Sequence, residues 1–278
     1  MHFDVVFISY DELNADENWE KLTDLIPYAI RIDGVKGIPN AHIEAAKQVS
    51  TSHFFCVDAD NVVDNNFDFE NVVDFHQNDR RVHVWGCNNP VNGLQYGYGG
   101  VKLFPTDHVE HIKEYSVDFC TSAAAASSGF KSHKEIASTT HFNTTPFNAW
   151  KSGFRECTKL SSAVIDNQKN EETLARLKIW TSVGMDVDFG DYAIAGARMG
   201  VMHGSCNSNK LIEREVEELN IINDFSVCRE YYDLQLNHND IMSNIQSCGE
   251  EMLDMFDIET ALFTAEQSEF IKKVMYKI

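Results

Sequence analysis

Apolar and polar residues fall along the chain in blocks whose spacing separates strands from helices. Phe3 to Tyr10 (FDVVFISY) is a short, β-rich apolar run that predicts a buried strand, followed by the polar turn Asp11 to Asp16. Trp19, Leu22, Leu25 and Ile26 recur at helical spacing, and Tyr28 to Val35 (YAIRIDGV) predicts a second strand ended by Gly34 and Gly37. Pro39 opens a helix through Ala41, Ile43, Ala45, Ala46 and Val49. His53 to Val57 (HFFCV) predicts a third strand that runs into Asp58-Ala59-Asp60-Asn61. Strand, helix, strand, helix, strand is the order of a parallel, doubly wound α/β sheet, in which ligands sit at the carboxyl ends of the strands. Acidic clusters stand at two of those ends.

Farther on, Arg81 to Cys87 (RVHVWGC) predicts another strand, Asn88 to Gly100 a turn-rich loop, and Val101 to Phe104 a strand. The small-residue stretch Thr121 to Gly129 (TSAAAASSG) predicts a mobile loop. Helices are expected from about Pro146 to Leu160, from Glu171 to Trp180, and through most of the chain after Asn209. With no internal repeat and no obvious linker, the expected organisation is an α/β core over residues 1–208, with an acidic helical region over 209–278 packed on it.

Composition narrows the class. The 278 residues are 43% hydrophobic and include 18 Phe, enough for a core. No run approaches the apolar length of a membrane span. The opening Met1-His2-Phe3-Asp4 does not read as a signal peptide. Seven cysteines, odd in number and never CxxC, predict reduced thiols and exclude a disulfide framework or zinc knuckle. These features together predict a cytoplasmic protein. The net charge of −20 comes from 43 acids against 23 bases, and residues 211–278 carry 15 of the acids and five of the bases. Such a chain repels phosphate backbones at long range, so any nucleic-acid contact must be local.

Asp58 and Asp60 are two apart, which in extended backbone turns both carboxylates to one side. At a strand exit they form a hard-oxygen site suited to Mn²⁺ or Mg²⁺ holding a diphosphate. Converging carboxylates repel unless something cationic compensates. Two reactions use this arrangement. One is sugar transfer from a nucleotide sugar. The other is phosphoryl transfer through an aspartyl-phosphate, as in haloacid-dehalogenase-type hydrolases, whose DxDx[TV] pattern Asp58-Ala59-Asp60-Asn61-Val62 satisfies. Gly190-Asp191 echoes that family's later acidic motif, but two strand–helix units precede Asp58 and Ala195 stands where a second acid belongs. In Tyr96-Gly97-Tyr98-Gly99-Gly100, glycines would let backbone approach a ligand and the tyrosines supply flat faces. Lys151, Arg155 and Lys159, four apart, form one basic stripe on the helix predicted there, and Lys131, His133 and Lys134 follow the alanine run.

Several segments carry a resemblance. Ile32 to His42, Phe55 to Asp60, Asn89 to Leu94, Tyr96 to Leu103, Phe142-Asn143 and Pro146 to Cys157 resemble GT-A-fold glycosyltransferases of tailed phages, in particular the T-even-type 5-hydroxymethylcytosine arabinosyltransferases. The resemblance covers roughly residues 1 to 205; Tyr96 to Leu103 and the block ending in Arg155-Glu156 are its most specific parts. It implies an α/β, GT-A-like (Rossmann-like) mixed sheet flanked by helices, with a mostly helical C-terminal region. It implies a UDP-sugar donor carrying arabinose or glucose, Mn²⁺ or Mg²⁺, and as acceptor the hydroxyl of 5-hydroxymethylcytosine in double-stranded phage DNA, in the host cytoplasm. Glycosyltransferases of the same fold that act on protein or polysaccharide are the nearest alternative.

Carried onto this chain, the resemblance implies that Ser9, Tyr10 and Asp11 hold the uridine. Asp33 would lie near the base or ribose, and Lys36 near the diphosphate. Asp58 would contact ribose or metal, Asp60 would bind metal directly, and His203 would complete the metal shell. Tyr98, Gly99 and Gly100 would line the donor site. An inverting transfer needs one carboxylate at the acceptor hydroxyl, for which Glu156 is the candidate, with Asp186 and Asp188 next. Lys151, Arg155 and Lys159 would position the duplex through its phosphates while one base is extruded into the pocket.

Overall fold

The three apolar runs at the N-terminus form the parallel half of one mixed sheet. Strands β1 (Asp4–Ser9), β2 (Ile30–Asp33) and β3 (His53–Asp58) are joined by α1 (Ala15–Leu25) and α2 (Ile38–Gln48), with β1 parallel to both neighbours. The sheet then changes sense. It is completed by β4 (Asn61–Val63), β5 (Val82–Asn88), β6 (Gln95–Tyr96), β7 (Val101–Pro105) and β8 (Phe130–Thr140). Strand order is β2-β1-β3-β7-β5-β8-β4, with β6 beside β5. Strand β7 runs antiparallel to both β3 and β5, whereas β5 and β8 are parallel. The purely parallel reading therefore holds for the first three strands, and the whole is the mixed α/β sheet expected.

The computed structural model describes residues 2–72, 75–76, 78–97, 99–113, 117–162, 170–208 and 219–275. It resolves two compact units, Met1–Asn89 with Gln95–His141, and Pro90–Leu94 with Phe142–Ile278. The 208/209 boundary expected from sequence lies inside the second unit.

In the first unit, β1 and β3 are apolar almost throughout because both sheet faces are covered. Phe3, Val5, Phe7, Phe55, Val57, Trp85 and Leu103 pack on one face with Leu22 of α1. Val6, Phe54, Cys56, Val84 and Phe104 pack on the other with Ala45 and Ala46 of α2. The stretch expected as a mobile loop is helix α4 (Phe119–Ala126), which follows the short α3 (Thr106–Glu110). Asp118 caps α4 by accepting from the Thr121 backbone N–H at 2.9 Å, and alanine is the best helix former. Strand β8 escapes sequence reading because its first half is polar and mostly exposed. Lys131, His133 and Lys134 lie on it, and the His133 ring stacks 4.3 Å from Trp85.

A buried imidazole pair lies under that stack. His83 is fully buried, its Nδ1 is 2.9 Å from His133 Nε2, and its Nε2 is 3.3 Å from an Asp79 carboxylate held by Arg81. Burial pulls the His83 imidazole down to about 4, against the pull of Asp79. The unfolded chain binds a proton there from about pH 6.5 downward, and the folded chain does not until about pH 4. Stability should therefore fall across that window as pH falls, by about 2 kcal/mol at pH 5 from this group. Melting curves at pH 7.5 and 5.0 test this. His83→Gln should flatten the pH dependence, and an unchanged slope would refute the assignment.

The second unit is helical: α5 (Pro146–Ser161), α6 (Asn170–Trp180), α7 (Gly190–Ser208), a 3-10 turn (Asn220–Asn223), α8 (Phe225–Gln235), α9 (Ile241–Phe256) and α10 (Ala265–Met275). Helix α5 starts where Pro146 and its cap Thr145 place it, the Thr145 hydroxyl accepting from the Asn148 N–H. Buried Arg198 of α7 donates to the carbonyls of Thr181, Ile245 and Ala261, tying α7 to α9 and to the segment between α9 and α10. Among the described residues no helix is long and apolar enough to cross a membrane. Cys56, Cys87, Cys120, Cys157, Cys228 and Cys248 are free thiols.

Candidate functional site

Register decides which of the acidic residues meet. Ser9 is the cross-strand partner of Asp33, and Ile8 is the partner of Asp58, so the carboxyl ends of β1, β2 and β3 finish at one level. Ser9 Oγ donates to Asp33 Oδ1 at 2.5 Å and accepts from Arg31 Nε at 3.0 Å. Arg31 also bonds Asp16 at 2.7 Å and lies over the Phe7 ring. The side chains expected to meet a nucleoside are thus cross-braced beforehand. Tyr10, Asp11 and Lys36 are exposed at the same edge.

The turn carrying Asp58 and Asp60 is held by its backbone on several sides. Ala59 N–H donates to the Ile8 carbonyl, and the Ala59 carbonyl accepts from buried Asn18 of α1 at 2.8 Å. The Asp60 carbonyl accepts from the His141 N–H at 2.6 Å. Asn18 was not legible as a site residue; a polar side chain on the core-facing side of an amphipathic helix is its only sequence signal.

The cation that compensates Asp58 is part of the chain. Lys102 of β7 is the cross-strand partner of Cys56, and its Nζ lies 2.9 Å from Asp58 Oδ2. Burial alone raises the Asp58 carboxyl, but Lys102 outweighs it and holds the group below its ordinary value. Burial likewise lowers Lys102, and Asp58 outweighs it in the opposite sense. His42, Cys56 and Asp58 bring ligand-type atoms within 4.8 Å of one another, and the Lys102 ammonium bonded to Asp58 is the charge that already meets this cluster. Asp60 is arranged differently: the Asn61 side-chain amide donates to its Oδ1 at 2.6 Å. A hard divalent cation fits the donor chemistry at Asp60, whereas at Asp58 it would compete with a lysine.

The two glycines expected in the donor loop differ. Gly99 has nothing within 4 Å of an added Cβ, so the space beside it is open. Gly100 has φ +80°, and a Cβ there would overlap the Ser138 hydroxyl. The side of Gly100 on which a Cβ would stand is filled by Ser138, Asn61 and Cys87. Tyr98 lies outside the described residues.

The remaining candidates belong to the second unit. The stripe Lys151, Arg155 and Lys159 is on α5 as predicted, but it faces the unit's own side chains. Lys151 is 8% exposed with its ammonium 4.0 Å from the Phe225 ring centre. Arg155 Nε donates to the Ile222 carbonyl at 2.7 Å, and Lys159 lies 3.5 Å from Glu156. Phe225 of α8 thus stands over Lys151 and Ile222 of the 3-10 turn meets Arg155, while Arg155 and Lys159 remain partly exposed. Glu156 is buried. Asp186 and Asp188 lie in the turn between Gly184 and Gly190 as expected, and Asp186 Oδ2 pairs with Lys272 of α10 at 2.6 Å. His203 sits mid-helix in α7 beside the rings of Phe154 and Tyr231, and its flanking glycines serve helix packing.

No protein-family model matches the chain, and no curated protein does. Among solved structures the chain is similar to S. aureus TarS 1–349 in complex with UDP, at 12% identity over 86% of this chain and 93% of that one, with a TM-score of 0.37. It is similar also to S. aureus TarS 1–349 alone, at 10% identity over the same shares and a TM-score of 0.35.

Proposed function

We propose that the chain is a glycosyltransferase that moves a pentose or hexose from a UDP-sugar to a hydroxyl. The observation that carries this reading is the strand-end cluster: Ser9, Asp33, Asp58 and Asp60 converge at the carboxyl edge of three parallel strands, with Lys36 exposed beside them. In this reading Asp33 and Ser9 receive the nucleoside, Lys36 meets the diphosphate, and Asp58 offers acceptor oxygens to the ribose while Lys102 keeps it ionised. A divalent ion at Asp60 would, when bound, neutralise the departing diphosphate. Glu156 takes the acceptor's proton in an inverting transfer, with Lys159 as its charge partner.

The acceptor we propose is 5-hydroxymethylcytosine in DNA, supported by the resemblance of Tyr96 to Leu103 and Pro146 to Cys157. With Lys151, Arg155 and Lys159 bonded within the second unit, the phosphate contacts to DNA are few, so affinity should fall only shallowly with added salt. Incubation with several UDP-sugars and 5-hydroxymethylcytosine DNA, followed by nucleoside mass spectrometry, should show a pentose or hexose added. UDP release with glycosylation of protein or polysaccharide but not of DNA would refute the acceptor alone. No UDP release from any donor with any acceptor would refute the glycosyltransferase.

A further inference from the structure

Asp58 and Asp60 are neighbours in sequence with unlike supports, and the support of Asp60 is a buried polar network that the proposed chemistry does not otherwise use. Asn61, on β4, is 2% exposed. Its Nδ2 donates to Asp60 Oδ1 at 2.6 Å, while its Oδ1 lies 3.1 Å from both Cys87 Sγ and Ser138 Oγ, which donate to it. Cys87 and Ser138 are cross-strand partners on β5 and β8, so two strands fix the carbonyl end of the amide. Gly100 closes over the same group, since any Cβ there would run into Ser138. Because the Asp60 carboxylate only accepts, whereas the thiol and hydroxyl can donate, the favoured orientation of the amide is the one that points N–H at the carboxylate.

A buried amide is costly unless its groups are bonded, and a hydrogen bond to a charged acceptor is among the stronger kinds. A leucine of similar size would fill the site without those requirements. Three polar side chains from β4, β5 and β8 instead converge behind one carboxylate, the arrangement by which outer residues orient a ligand group. We propose that Asn61 is a positioning residue that aims the Asp60 carboxylate at a metal–diphosphate ligand, an inference that rests on the glycosyltransferase reading. Asn61 touches neither donor nor acceptor; it acts through Asp60. Cys87 and Ser138 in turn hold Asn61.

The test is UDP affinity by calorimetry, with and without Mn²⁺, for the wild type and Asn61→Leu. The wild type should bind UDP more tightly with Mn²⁺. Asn61→Leu should leave the metal-free affinity within about twofold and reduce the Mn²⁺-dependent gain by about tenfold or more, the usual effect of losing an outer-shell partner. If leucine unfolds the unit, Asn61→Ser, which leaves room for water, carries the same expectation, with melting curves confirming that it is folded. An unchanged Mn²⁺ gain in the variants overturns the proposal, as does an equal loss with and without metal, which marks a structural role. Wild-type protein that binds UDP equally with and without Mn²⁺ overturns it too. Wild-type protein that binds no UDP at all refutes the glycosyltransferase reading and takes this inference with it.

Discussion

Asp58→Asn should destabilise the first unit by about 3–5 kcal/mol, whatever it does to activity. The reason is Lys102, whose side chain is only 7% exposed and whose ammonium is bonded to Asp58 at 2.9 Å. Removing the carboxylate leaves a cation in the sheet's covered face without the carboxylate bonded to it. Urea unfolding followed through Trp19 and Trp85 reads the effect. Adding Lys102→Met removes the stranded charge and should recover most of the loss, so the double mutant is more stable than Asp58→Asn alone. A cost below about 1 kcal/mol for Asp58→Asn, or no recovery in the double mutant, would show that the pair does not hold the strand end. The Lys102→Met background is also where the chemistry of Asp58 can be probed apart from its structural debt to Lys102.

The second large effect lies in helix α7. Alanine for glycine inside a helix ordinarily stabilises by about 1 kcal/mol. At Gly200 the sign should reverse, with a loss of about 3 kcal/mol or more. Gly196 and Gly200, one turn apart, face α5 so closely that a Cβ would overlap the carbonyl oxygens of Trp150 and Phe154. Backbone carbonyls within a helix cannot swing away as a side chain can, so the helices must separate and open the core around Trp150, Phe154 and Ile194. Gly196→Ala with Gly200→Ala should abolish the cooperative melt of the second unit, seen through Trp150 and Trp180. Gly99→Ala, into open space, is the control and should stay within about 0.5 kcal/mol of wild type. A Gly200→Ala protein as stable as the wild type would mean that α5 and α7 are not packed backbone to backbone.

These two variants also mark the limit of sequence reading. Asp58 and Asp60 were legible because a short apolar run ending in acids is a local pattern; Ser9 and Asp33 entered only through the resemblance, and it is the parallel register of β1, β2 and β3 that brings these ends to one edge. Helices α5 and α6 were legible from apolar spacing and from Pro146. The alanine run was misread because its composition resembles a loop's, while the cap that makes it a helix is one residue, Asp118. Strand β8 was missed because an edge-exposed polar half hides the period of two.

By itself the sequence determined the elements that local chemistry controls: the parallel strand–helix units, the acid pair at the third strand's exit, the free thiols and the uneven negative charge. Only the tertiary structure decided what each charge faces. It paired Lys102, 44 residues away, with Asp58, placed Asn61 behind Asp60, and set Lys151 and Arg155 of the α5 stripe against Phe225 and Ile222. Helical spacing says that three cations share a face; it does not say whether that face meets water or another helix. That depends on contacts between residues far apart in sequence, which carry no local pattern to read.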